Sequence, residues 1–159
     1  MKELDVRIVR LEPSRVASAL GYGPEPERIA WTRLLEWVNA GGLTNDGSEH
    51  RYYGFNNPNP SPGTPNYGYE QWVTVGSDVE PGEGIECKTF DGGLYAVTRC
   101  TLAHIGEAWQ ALAAWVETSP YACAPHQWLE GSVDPPKTPS DLGAEPAAIA
   151  LDLYFPIAE

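Results

Sequence analysis

Two nine-residue stretches of this chain are near copies of each other. Ala30-Trp31-Thr32-Arg33-Leu34-Leu35-Glu36-Trp37-Val38 and Ala108-Trp109-Gln110-Ala111-Leu112-Ala113-Ala114-Trp115-Val116 share Ala, Trp, Leu, Trp and Val at a constant offset of 78 residues. Agreement that includes two tryptophans points to duplication, which changes how every other residue is read. In both copies the apolar positions fall at i, i+3/i+4 and i+7, the spacing of one helix face. The first helix follows Pro24-Glu25-Pro26-Glu27, a suitable start, and is expected to stop at Gly41-Gly42; the second is expected to stop before Ser119-Pro120.

The flanks repeat too. Asp5–Leu11 and Arg15–Leu20 match Ile85–Phe90 and Leu94–Thr101, and the turns at Pro13-Ser14 and Asp91-Gly92-Gly93 predict that each pair is a hairpin. Downstream, Arg51–Asn56 and Tyr69–Val75 match Leu129–Asp134 and Ala150–Ile157. Proline-rich surface loops separate these strands, at 57–65 in one half and 135–146 in the other. The expected class is α+β: duplicated strand-helix-strand-strand modules forming a pseudo-twofold antiparallel sheet, with two helices and a central ligand cleft. The halves span about 4–76 and 85–157. With 159 residues, two modules of this size are too small to bury their apolar faces separately, so a single domain over 1–159 is expected.

Composition narrows the function classes. Apolar residues are 42% and aromatic residues 11% of the chain, enough to build a core without a staple. Ten Lys and Arg against 22 Asp and Glu give a formal charge of −12, whose field repels phosphate backbones, so direct nucleic-acid binding is not expected. The three cysteines, Cys87, Cys100 and Cys123, form no CxxC pair, which fits a cytoplasmic protein without a disulfide framework. No apolar run has membrane-spanning length. Cys100-x3-His104 and Cys123-x2-His126 lack a metal-site partner pair, and no nucleotide loop or GxSxG elbow is present, so neither a metal nor a cofactor is expected.

Strand parity supplies the candidate site. In 151–157, Leu151, Leu153, Phe155 and Ile157 point one way and Asp152 and Tyr154 the other; in 70–75, Val73 and Val75 oppose Glu70 and Trp72. The repeat places Asp152 on Glu70 and Tyr154 on Trp72, and sets Tyr52 and Gly54 at the places of Glu130 and Ser132. The parity not needed by the core thus collects Tyr52, Glu70, Trp72, Trp128, Glu130, Asp152 and Tyr154. Either this parity faces water, the ordinary pattern of a half-exposed antiparallel sheet, or it forms an aromatic, acidic concavity suited to a flat lipophilic cation. Trp31, Trp37, Trp109 and Trp115 read first as core, but Trp31 and Trp109 lie one turn inside each helix, where a groove could use them. A Glu130 buried among rings would need a cationic partner or would titrate high, as a ligand counter-ion or a general base.

The helix pattern, the segment Asp91-Gly92-Gly93-Leu94-Tyr95-Ala96-Val97, the strand Leu129-Glu130-Gly131-Ser132-Val133-Asp134-Pro135 and the closing Leu151-Asp152-Leu153-Tyr154-Phe155-Pro156-Ile157 together resemble the GyrI-like small-molecule-binding domain, over about 4–157. This is also the effector-binding domain of multidrug-responsive transcription activators. The resemblance implies a central cleft for lipophilic cations or drug-like aromatics. It puts the family's ligand-facing glutamate on Glu130 and its final-strand acid on Asp152, with Gly131-Ser132 in place of bulkier residues. It also implies a stand-alone member, without the helix-turn-helix of the regulators.

Three functions follow as expectations. The first is a non-catalytic domain that senses or sequesters bulky lipophilic, aromatic or cationic molecules, as in xenobiotic resistance, using Glu130, Tyr52, Glu70, Trp72, Trp128, Asp152, Tyr154, Trp31 and Trp109. The second is a hydrolase of the cyclopropanoid cyclopropyl hydrolase type, acting on DNA-alkylating natural products, with Glu130 activating water and Tyr52 or Tyr154 polarising the substrate. The third is a gyrase-inhibitor-type domain that binds a protein partner.

Overall fold

The computed structural model describes residues 4–42, 50–57, 59 and 61–159. Its strands are β1 (Arg7–Leu11), β2 (Ser14–Gly23), β3 (Tyr52–Asn56), β4 (Tyr67–Val75), β5 (Glu86–Phe90), β6 (Gly93–Thr101), β7 (Ala122–Cys123), β8 (Leu129–Ser132) and β9 (Ala150–Ala158). Its helices are α1 (Pro26–Trp37), which runs on as a π-helical turn over Val38–Gly42, and α2 (Ile105–Glu117). Both duplicated nonapeptides are therefore helical, and the α+β, antiparallel class expected from the repeat is observed. Pro58 and Pro60 of the first proline-rich loop lie outside the described residues.

The chain divides into two compact units, one of Met1–Pro13, Asp91–Asp134 and Ala144–Glu159, the other of Ser14–Phe90 and Pro135–Gly143. The first has strand order β1-β6-β9-β8, with β7 also on β9, and the second β3-β4-β2-β5. Among the described residues, the pairings within each unit are antiparallel.

The predicted hairpins do not form. β1 pairs with β6 (Arg7↔Val97 to Leu11↔Gly93), and β5 pairs with β2 (Ser14↔Phe90 to Ser18↔Glu86). Each half gives its first strand to the other half's sheet. The two-residue link Glu12-Pro13 explains why: a tight hairpin turn needs positive φ, which proline forbids, and among the described residues only glycines have it. At the other crossover Gly92 has φ of 75° and a Cβ there would lie 2.2 Å from the Leu11 carbonyl oxygen, so the Asp-Gly-Gly signal serves a close passage of chains rather than a hairpin.

Each unit builds its core under its helix. In one, Leu112 and Val116 of α2 pack on Ala96, Leu153, Phe155 and Ile157; in the other, Leu34 of α1 packs on Ala17, Ala19, Val73 and Ile85. Burial of each such leucine is worth about 1.5–3 kcal/mol. Gly21 of β2 lets α1 approach, since a Cβ would lie 2.2 Å from the Pro26 carbonyl oxygen. Among the described residues no helix is long and apolar enough to cross a membrane, and no group of three or more His, Cys, Asp or Glu is placed to hold a metal ion.

Candidate functional site

Pairing register decides which way each candidate points, because residues directly opposite in an antiparallel ladder share a face. Glu130 is opposite Leu153, a core residue under α2, so Glu130 lies on the helix side. Tyr52 is opposite Val73, a core residue under α1, and lies on the helix side of its own unit. Trp72 is opposite Ser18 and Tyr53, and Glu70 opposite Leu20 and Phe55, on the side turned away from α1. Asp152 is opposite Arg99 and Gly131, and Tyr154 opposite Val97 and Leu129, on the side turned away from α2. The single face that parity assembled therefore splits: Tyr52, Trp128 and Glu130 go with the helices, and Glu70, Trp72, Asp152 and Tyr154 go to the opposite faces.

Under α2 the helix-side residues form a compact group. Trp109 projects from the helix onto Trp128, with ring centroids 5.4 Å apart, and Trp128 lies 4.2 Å from the ring of Phe155 on β9. The Trp109 indole N–H donates to Glu130 Oε2 at 3.2 Å. Trp109 and Glu130 are half-buried, and Trp128 is 40% exposed, a large aromatic surface left open to solvent beside a carboxylate. A carboxylate fixed by an indole and flanked by rings offers a cation charge complementarity and stacking area together.

The other unit carries the equivalent pair without the acid. Trp31 of α1 stacks on Tyr52 at 5.5 Å and 26°. Since Tyr53 is opposite Trp72 and Leu129 opposite Tyr154, β3 matches β8 at an offset of 76, two residues from the 78 read in the sequence. Tyr52 thus corresponds to Trp128, and Gly54 to Glu130. A side chain at Gly54 would have to displace the buried Tyr69 ring, since a Cβ there would lie 2.1 Å from the Tyr69 hydroxyl. Burial pushes the Tyr52 phenol above its ordinary value, so it stays protonated at neutral pH.

The residues on the opposite faces are held by protein partners. Glu70, only 3% exposed, accepts from Ser18 Oγ (2.8 Å), Trp72 Nε1 (2.6 Å) and Lys88 Nζ (2.9 Å) at Oε2, and from Asn57 Nδ2 (3.0 Å) at Oε1. These bonds outweigh its burial and hold its carboxyl below the ordinary range. Asp152 takes a fork from Arg99 (2.9 and 3.2 Å) and an ion pair from Arg7 at 3.3 Å. Tyr154 meets Tyr95 edge-on at 5.6 Å.

Parity places Phe155 with the core, yet its ring completes the aromatic group, and Lys88 and Arg99 carry no signal of their own in the sequence. Burial, and then the charges of Glu130 and Asp152, push the Cys100 thiol up to about 11, which disfavours its thiolate at neutral pH.

A family model for integron-associated effector-binding proteins matches residues 7–157. The chain belongs to this Cass2 family. Its effector-binding character supports small-molecule binding as the general role, and the resemblance to the GyrI-like domain is borne out. No curated protein sequence matches the chain. Among solved structures, the C-terminal domain of EcmrR is similar with a TM-score of 0.70 at 13% identity, covering 98% of each chain. A hydrolase from Listeria innocua gives 0.63 at 10% identity, over 99% of this chain and 94% of that one. The protein SAV2435, bound to tetraphenylphosphonium, gives 0.57 at 12% identity, over 98% and 94%. At such identities these neighbours share the fold.

Proposed function

We propose that this family member binds bulky lipophilic, aromatic or cationic small molecules on the group formed by Trp109, Trp128, Phe155 and Glu130, and that it senses or sequesters such compounds in the cytoplasm. The observation that carries the reading is the Glu130 carboxylate, fixed by the Trp109 indole beside a 40%-exposed Trp128. A fold neighbour bound to tetraphenylphosphonium, a lipophilic cation, supports the ligand class, as does the formal charge of −12.

Titration of tetraphenylphosphonium against tryptophan fluorescence tests it. Saturable quenching is expected, with affinity falling about 10- to 100-fold in Glu130→Gln, the value of a charge-assisted contact. A neutral analogue of the same shape should lose little. Quenching unchanged by Glu130→Gln would remove the carboxylate from the site.

A second reading, hydrolysis of a strained electrophile such as a cyclopropanoid, is favoured by the same fixed carboxylate, which is placed to take a proton from water among rings that stack an aromatic substrate. In that case Glu130→Gln abolishes turnover and leaves binding of the neutral compound intact; equal turnover rates in the two proteins would rule Glu130 out as the base.

A further inference from the structure

On the side of β2 and β4 turned away from α1, a pocket of about 400 Å3 opens against Ser18, Leu20, Asn57, Glu70, Glu86 and Lys88, beside the backbone turn at 84–85. Its cause is a step in the sheet. β5 accompanies β2 only as far as Ser18↔Glu86, while β2 continues beside β4 to Gly23, so the β2–β5 ladder stops two residues short of Leu20, which is 47% exposed. Glu70 forms part of the floor, and Glu86, with 76% of its side chain exposed, stands at the rim.

The polar groups around this pocket have unused capacity. Three donors crowd Glu70 Oε2, but among the described residues Oε1 receives only the Asn57 amide, and a carboxylate oxygen has room for two. Lys88 has three N–H groups: one is on Glu70 at 2.9 Å, and Glu86 is 3.9 Å away, beyond hydrogen-bond length. Two carboxylates and one ammonium leave a formal charge of −1. No aromatic ring lines this pocket among the described residues, so a flat lipophilic cation gains no stacking there.

We propose that this pocket is a second small-molecule site, for a hydrophilic organic monocation that carries both a protonated amine and hydroxyl groups. The ammonium bridges Glu86 and Glu70 Oε1, a hydroxyl oxygen accepts from Lys88 Nζ, and the carbon skeleton lies on Leu20. The site belongs to one unit and is independent of the aromatic group around Glu130, which lies in the other.

Indole N–H signals separate the two sites, because the Trp72 indole donates to Glu70 and the Trp109 indole to Glu130. In nitrogen-15-labelled protein, with both signals assigned by Trp→Phe substitution, glucosamine is titrated at constant ionic strength with glucose as the neutral match. The Trp72 signal should move with a Kd of roughly 1–10 mM, that of an open polar site, while the Trp109 signal stays in place. Glu86→Gln, an exposed substitution that leaves the floor intact, should weaken the response about tenfold. A Trp72 signal that stays still up to about 50 mM, moves equally with glucose, or moves equally in Glu86→Gln overturns the proposal. Tetraphenylphosphonium added to the same sample tests the Glu130 group through Trp109 alone, so either site can fail without the other.

Discussion

Two glutamates in this chain each receive an indole N–H, and they behave differently. Glu70 is buried and accepts four hydrogen bonds, whereas Glu130 is half-buried beside open aromatic surface. Because Glu70's carboxyl is held below its ordinary value of 4.5, the stability it contributes is fully present above about pH 4.5 and is lost as pH falls through the depressed native value. Glu70→Gln should therefore cost about 1–3 kcal/mol at pH 7, read from urea midpoints, and the gap from the parent should narrow below pH 4.5. An undiminished gap at pH 3 would show that the loss is one of packing rather than charge. Cys100, with its thiol pushed up to about 11, should escape iodoacetamide at pH 8 while the exposed Cys123 is alkylated, as intact mass and peptide mapping would show. The sequence identified both glutamates and the tryptophans as candidates, but put Glu70 and Glu130 on one face. Parity assumes that a strand has one buried side. Tyr69 to Val73 are all buried, and Leu129 is buried on the side away from α2, the side on which His126 and Gln127 also meet Tyr95. With both faces covered, alternation no longer distinguishes core from site.

Among the elements, the helices were the most legible, because Trp, Leu and Val at helical spacing leave little freedom. The strands were located to within a few residues, but their partners were not, since a partner is set by the connection rather than by the strand's own pattern. Asp91-Gly92-Gly93 carries a hairpin signature and instead passes the end of β1, where Gly92 has positive φ and no room for a Cβ. Gly92→Ala should lower Tm by about 4–8 °C, combining backbone strain with the clash on Leu11. Gly84 is the control: its φ of 77° is as strained, but nothing lies within 4 Å, so Gly84→Ala should cost about half as much. Equal losses at the two positions would mean that the close passage contributes nothing. The two-residue correction between β3 and β8 likewise came only from pairing, and it turned an apparent Tyr52–Glu130 correspondence into Tyr52–Trp128.

At the scale of the whole molecule, each compact unit carries one helix on a four-strand ladder, but the sequence repeat and the compact units have different boundaries. A fragment spanning 14–90 contains β2, α1, β3, β4 and β5 with every ladder of that unit, whereas one spanning 4–76 exchanges β5 for a β1 whose partner is absent. Circular dichroism should show the 14–90 fragment as the more structured of the two, and a 4–76 fragment equally resistant to urea would contradict the exchanged pairing. The exchange also sets an order of events during synthesis. β1 is made first, yet its partners begin at Gly93 and end at Val97, so the strand Arg7-Ile8-Val9-Arg10-Leu11 must wait about 90 residues for its ladder. At ordinary elongation rates that is roughly 5–20 s, during which an apolar strand is open to any passing edge. Arg7 and Arg10 interrupt its apolar run, and in the folded structure Arg7 is taken up by Asp152 of β9, made some 145 residues later. The charge that guards β1 while it is alone becomes, once β9 is in place, one of the ties that fasten it.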